Sequence, residues 1–191
     1  MRFLIFILFI GTFAFGAEPS VRTSDSKFPT VEEALKLAFP KCELERSSIF
    51  LTKEQKKSAE KLAGGKIDSR LLLAFTATQK KPGQKPTLMG WGYVDSHKVR
   101  AKKETLLILV NPDNALRRLE VVAFGEPREY IPRELWYAQF KGKKLTKELR
   151  VGRDIRSVSG ATLTAAATTA AVRRVLAIHK IIGPPTVKTD K

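Results

Sequence analysis

The sequence predicts an α+β fold: an antiparallel β-meander sheet packed by helices, with a long C-terminal helix starting at a Ser-Gly-Ala-Thr motif. Three observations predict it. Residues 71–78, 88–94, 105–110 and 116–124 are short runs rich in aliphatic, aromatic and Thr residues. The stretches between them are too short for crossover helices, so neighbouring strands must run antiparallel. Near the end, Ala171, Val175, Ile178 and Ile182 recur at spacings of four, three and four. That rhythm makes a helix face able to lie on a sheet.

The elements follow in order. Met1-Arg2 is a short basic start, and residues 3–15 are nearly all apolar. Small residues follow at Ala14, Gly16 and Ala17. This is the pattern of a secretory signal peptide, expected over residues 1–17 with cleavage after Gly16 or Ala17. The alternative is a retained anchor, but the apolar run is shorter than the roughly 20 residues a spanning helix needs. Residues 18–28 are polar. Thr30-Val31-Glu32-Glu33 reads as a capping box that opens an amphipathic helix through Ala34, Leu35, Leu37, Ala38 and Phe39, stopped by Pro40. Thr52-Lys53-Glu54-Gln55 opens a second helix, and Gly64-Gly65 ends it. Residues 18–69 are thus expected as an N-terminal helical segment.

The strands of the central region are separated by turn signals at Lys81-Pro82-Gly83-Gln84, Asp95-Ser96 and Asn111-Pro112-Asp113-Asn114. Pro127 and Pro132 break the strand pattern, residues 134–140 suit a helical turn, and residues 141–144 form a basic turn. The last helix is expected over residues 161–182, closed by Gly183-Pro184-Pro185. One core domain over residues 70–185 and a basic tail over 186–191 complete the chain.

Composition narrows the function. There are 35 Lys+Arg against 19 Asp+Glu. Such a balance suits nucleic acid, a membrane surface or acidic partner, or plain solubility. Export and the lack of a recognisable nucleic-acid motif argue against nucleic acid. The single cysteine, Cys42, cannot form an internal disulfide and reads as a small core residue near a helix end. With one Cys and two His, neither zinc nor haem is supported. His97 reads as a turn residue and His179 as a charge partner at the C-terminus of the last helix. No placed His and acid mark a serine hydrolase.

The informative stretch is Arg156-Ser157-Val158-Ser159-Gly160-Ala161-Thr162-Leu163-Thr164. Ser159 reads as an N-cap, and Gly160 lets the backbone bend and a ligand approach. Unsatisfied amides and the helix dipole make the start of a helix an anion site. The first three turns hold no acid to fill it, and Arg173, Arg174 and Lys180 come later, where the dipole favours cations. The helix start is therefore open to an external phosphate. A Ser-Gly cap before an Ala/Thr-rich helix is also how a plainly packed helix begins, and spacing alone leaves both readings open.

Ser159-Gly160-Ala161-Thr162 followed by Leu163-Thr164 resembles the signature of the FMN-binding domain family. That family includes flavin-carrying subunits of sodium-translocating NADH:quinone oxidoreductase and of the Rnf electron-transport complex. Gly90-Trp91-Gly92-Tyr93 resembles a glycine-and-aromatic strand of the family, and Phe124-Gly125-Glu126-Pro127 a loop with a His-x-Glu-Thr-Pro pattern. Gln139-Phe140-Lys141-Gly142-Lys143 resembles its Phe-Lys-Gly-Lys segment. The likeness runs over about residues 70–182. Two positions depart from the family: Arg156 stands where Asp is common, with Asp154 two residues earlier, and Gly125 stands near the position of the His.

The resemblance implies that residues 70–185 are an FMN-binding domain. It implies that a flavin transferase links FMN through a phosphodiester to the Thr162 hydroxyl. Ser159, Gly160, Ala161, Leu163, Thr164, Glu126, Trp91 and Tyr93 are the further cofactor-binding residues it implies, with no catalytic residue and no metal. Trp91, Tyr93, Phe124, Tyr130, Trp136 and Tyr137 are candidates to carry the flavin ring, each with core packing as its alternative. Of the two nearby hydroxyls, Thr162 is expected to carry the flavin, and Thr164 to bond backbone or pack. The protein would then be an electron carrier rather than a stand-alone enzyme. It would work in the periplasm or on the outer face of the cytoplasmic membrane with a membrane or envelope redox partner, an acidic one suiting its charge, and without nucleic acid. Two other readings compete: the same fold without covalent flavin as a binding or scaffold module, and a basic protein recognising anionic lipid or envelope polymer.

Overall fold

The computed structural model describes residues 27–183. The leader expected over 1–17 and the tail over 186–191 lie outside the described residues. Helix α1 (Val31–Ala38) leads into strand β1 (Glu43–Phe50) and helix α2 (Lys53–Ala63). Strands β2 (Leu71–Gln79), β3 (Thr87–Lys98), β4 (Lys103–Val110) and β5 (Leu116–Phe124) follow. A 3₁₀ turn (Arg128–Tyr130), the short helix α3 (Glu134–Tyr137) with its 3₁₀ extension (Ala138–Phe140), and helix α4 (Thr162–Ile182) complete the chain.

Both predicted capping boxes form. Thr30 Oγ1 accepts the Glu33 amide while the Glu33 carboxylate accepts the Thr30 amide, and Thr52 and Gln55 do the same at α2. Gly64 ends α2 at φ 70°, a left-handed conformation that suits glycine.

The five strands form one antiparallel meander in the order β1-β2-β3-β4-β5. Strand β1 was not among the sequence expectations and lies within residues 18–69. Its sequence ELERSSIF has few large apolar residues because, among the described residues, it is an edge strand paired only with β2. Both faces of the sheet are covered. Leu107 and Leu109 of β4 join Leu35 and Phe39 of α1 and Phe75 of β2 on one side. Leu106, Ile108 and Val110 join Trp91, Tyr93 and the α4 residues Ala171, Val175 and Ile178 on the other. Strand alternation does the sorting. In β3 it points Trp91 and Tyr93 towards α4 and leaves Gly90 and Gly92 under α1.

Strand β3 runs four residues past the expected end, to Lys98, so Asp95-Ser96 is strand rather than turn. The reversal comes at residues 99–102, where Val99 donates its amide to the Lys102 carbonyl. His97 is accordingly buried in the strand, 6% exposed, and not a turn residue. It sits two residues beyond Asp95 on the face that carries Trp91 and Tyr93.

Candidate functional site

The segment leading to the Ser-Gly-Ala-Thr motif is held from α3. Trp136 Nε1 donates to the Arg156 carbonyl at 2.7 Å, and Gln139 Oε1 accepts the Arg156 amide at 2.8 Å. The Arg156 side chain stays exposed. Asp154 pairs with Lys143 at 3.8 Å.

Ser159 does not cap the helix. The N-cap is Ala161 (φ −127°, ψ 30°), with no side-chain cap hydrogen bond, and α4 begins one residue later than expected, at Thr162. Gly160 makes the bend at φ 81°, and a Cβ there would meet no atom within 4 Å. Conformation, not room, demands glycine at that position. Among the described residues the amides of Thr162, Leu163 and Thr164 find no acceptor; the first bond of the helix runs from the Ala165 amide to the Ala161 carbonyl. No acid lies in the first turn. These amides and the dipole behind them suit an anion.

The two threonines of the motif differ sharply. Thr164 is 1% exposed and donates its hydroxyl to the Tyr130 carbonyl at 2.6 Å. Thr162 is exposed, and its hydroxyl makes one long bond, 3.3 Å, to the Val158 carbonyl. Leu163 beside it is 55% exposed, and on α3 Leu135 is 84% exposed.

The Thr164–Tyr130 bond draws in a second loop. The Arg100 guanidinium stacks over the Tyr130 ring at 4.9 Å. Glu126 accepts the amides of Arg100, Ala101 and Lys102 at 3.3, 2.7 and 2.7 Å. These bonds, that of Lys102 foremost, hold its carboxyl below the usual range. Glu126 thus ties the β3–β4 turn to the loop that carries Tyr130, and its contacts are with backbone.

Trp91 and Tyr93 are not brought to the motif. They are 2% and 0% exposed in the core, and both rings meet His179 edge-on, at 4.8 and 5.5 Å. His179 lies 17 residues along α4 from Thr162, about 25 Å at 1.5 Å per residue. These two rings pack the far end of α4, away from the motif. The aromatics at the motif's end are Tyr130, Trp136 and Tyr137.

His179 is not a surface charge partner either. It is 2% exposed, accepts the Tyr93 hydroxyl at Nδ1 (2.6 Å) and meets Asn114 Oδ1 through Nε2 (2.9 Å). Burial pushes its pKa down to about 4, so the ring is neutral with its proton on Nε2.

A buried ionic chain lies beneath the first half of α4. Glu104, 0% exposed, accepts from His97 Nε2 at 3.0 Å and from Thr168 Oγ1 at 2.9 Å, with the Tyr137 hydroxyl at 3.4 Å. His97 Nδ1 meets Asp95 at 2.8 Å, and Asp95 pairs with Arg174 at 2.9 Å. Burial alone would lower the His97 pKa, but its bonds to the two carboxylates and their charges outweigh that and raise it. The sequence signal for this chain was the period-two spacing of Trp91, Tyr93, Asp95 and His97, which continues one face of β3.

No protein-family model matches the chain, and no curated protein matches it. Among the described residues no helix is long and apolar enough to cross a membrane.

Proposed function

We propose that this protein is an exported electron carrier that holds FMN through a phosphodiester on Thr162. One observation carries the reading: an exposed threonine hydroxyl opens α4 beside three amides without acceptors, while the neighbouring Thr164 is consumed by Tyr130. A phosphodiester keeps one negative charge, and a helix N-terminus stabilises such a charge by roughly 0.3–1 kcal/mol. Among the described residues no atom lies within 4 Å of where a Gly160 Cβ would be, which leaves the approach to the α4 amides open at that point. Bound flavin would supply the redox chemistry. The chain's own part is to fix the phosphate end against the α4 amides and to offer Leu163, Leu135 and Tyr130 as apolar surface nearby.

Attachment needs an oxygen–phosphorus bond to form at Thr162 Oγ1 while the hydroxyl proton leaves, the phosphoanhydride bond of an activated flavin nucleotide breaks and its other phosphate departs. Among the described residues that hydroxyl bonds only a carbonyl, so the base and the activated flavin phosphate fall to a flavin transferase. The basic surface suits a membrane-face or acidic redox partner.

The experiment is co-expression with a flavin transferase, followed by intact mass and peptide mapping. The reading expects yellow colour that survives denaturation and an adduct on the peptide holding Thr162. A colourless protein, or an adduct on Thr164, overturns it. A non-covalent flavin is the second reading, favoured by Asp154, which pairs with Lys143 rather than with the motif; colour lost on denaturation would assign it.

A further inference from the structure

On the outer side of α4, away from the motif, a groove of about 910 Å³ runs between the end of α2, the loop at residues 145–151 and the second half of α4. Leu62, Leu145 and Ile181 give it apolar walls. Lys61, Lys147, Arg150, Arg173 and Lys180 line it with positive charge. A second hollow of about 400 Å³ shares Gly64, Arg150 and Arg173 and adds Lys66. Among the described residues no carboxylate lines either one.

Arg173 is the centre of the groove. It is 7% exposed, and among the described residues every acceptor it has is a neutral carbonyl: Ala63 from Nε at 2.7 Å, and Thr146 and Leu149 from Nη1 at 2.7 and 3.2 Å. These bonds tie α2 and the loop to α4 but leave the charge uncompensated. Among the described residues its Nη2 has no hydrogen-bond partner, and it lies beside Gly64. Arg150 Nη2 comes to the same place: a Cβ on Gly64 would sit 3.2 Å from Arg150 Nη2 and 3.8 Å from Arg173 Nη2. Among the described residues neither guanidinium pairs with a carboxylate. Glu148 is in the same loop, but its partner is Arg153, at 3.9 Å. Buried charges are ordinarily paired, and two like charges gathered at one glycine invite an anion between them.

We propose that this groove binds a phosphate ester carrying an apolar chain. The phosphate sits between Arg150 and Arg173 over Gly64, with Lys147 and Lys180 at its edge. The chain lies on Leu62, Leu145 and Ile181. The site is independent of flavin at Thr162 and is tested without it. The ester can come from a bilayer headgroup or from a free metabolite, and the experiment separates the two.

Full-length mature protein, expressed without a flavin transferase, is titrated calorimetrically with dihexanoyl phosphatidate below its micellar concentration and with glycerol phosphate. It is also sedimented with phosphatidylcholine vesicles, with and without phosphatidylglycerol. Arg150→Gln/Lys147→Gln removes two exposed groove cations. Lys81→Gln/Lys85→Gln removes two exposed cations from the β2–β3 loop and leaves net charge equal. The groove pair is expected to weaken binding about tenfold or more, and the loop pair less than about twofold. Glycerol phosphate, lacking the chain, is expected to bind at least about tenfold more weakly than the lipid. Binding of the soluble lipid assigns a free ester. Binding only to phosphatidylglycerol vesicles, with the same loss in the groove pair, assigns a bilayer headgroup. Equal loss in both pairs, equal affinity for glycerol phosphate, or binding to neither probe overturns the proposal.

Discussion

Thr164 donates its hydroxyl to the Tyr130 carbonyl at 2.6 Å, so the second threonine of the motif is a tether for the 125–130 loop. Thr162 has no such duty. Thr164→Val should destabilise the fold by about 1 kcal/mol, because the half-buried Tyr130 carbonyl loses its donor. It should leave flavin attachment in place. Thr162→Ala should change stability by less than about 0.5 kcal/mol and abolish the adduct. Denaturant unfolding together with intact mass checks both. Loss of the adduct in Thr164→Val at temperatures where that variant is folded would count against the division of roles.

Much of the fold was legible because its signals are local. The capping boxes at Thr30 and Thr52 and the left-handed Gly64 end helices wherever the chain folds. The meander followed from linkers too short for a crossover. Strand β1 was hidden because an edge strand with alternating Glu, Arg and Ser carries little apolar pattern. At the site, the contrast between Thr162 and Thr164 was legible from helix geometry. The place of Trp91 and Tyr93 was not. Sequence nearness to a glycine-rich strand says nothing of which end of α4 the strand meets, and pairing with His179 decides that. His97 was misread because Asp95-Ser96 looks like a turn; the opposing partners Glu104 and Arg174 that make it a strand come from other elements.

The two histidines should shape stability against pH from opposite sides. His97 has a raised folded pKa, so its contribution is fully present below the unfolded value of about 6.5 and is lost as pH rises through the folded value. His179 is buried neutral with its pKa lowered to about 4. The unfolded chain takes up that proton first, so stability falls as pH drops from about 6.5 towards about 4. Stability should therefore peak near pH 6.5. His179→Gln should flatten the acid side, and His97→Gln the alkaline side. His97→Gln should also destabilise by about 3–5 kcal/mol, since it leaves Glu104 a buried charge without its cation. Thermal unfolding across pH 4–9 measures all of this; unchanged profiles in both variants would contradict it.

Glu126 gathers three amides of the β3–β4 turn. Glu126→Ala should free the amides of Ala101 and Lys102, and their hydrogen exchange should accelerate at least about tenfold, while amides in the middle of β4 stay protected. The same turn reaches Tyr130 through Arg100, so the start of α4 should loosen slightly and Ala165, its first hydrogen-bonded amide, should exchange faster as well. If Glu126 acted only on a ligand and not on the turn, exchange without ligand would not change.

Gly90 and Gly92 lie under α1, and they should respond differently to a single methyl group. At Gly92 a Cβ would come within 2.8 Å of Leu35 Cδ2 and 3.2 Å of Leu109 Cδ2. Both are ends of side chains that can shift a little, so Gly92→Ala should cost about 1–2 kcal/mol. At Gly90 the Cβ would come within 2.5 Å of the Val110 carbonyl oxygen, and φ is +144°. Neither the β4 backbone nor that conformation can give, so Gly90→Ala should cost more than about 3 kcal/mol. The clash at Gly92 has a specific remedy. Leu35→Ala opens the space the new methyl needs, so the double variant Gly92→Ala/Leu35→Ala should lose about 1 kcal/mol less than the sum of the single losses. The same partner should not rescue Gly90→Ala, whose clash is with the sheet itself. Denaturant unfolding of the five variants against the parent measures these differences. Rescue at Gly90, or strict additivity at Gly92, would mean that α1 does not lie on these glycines as the packing requires.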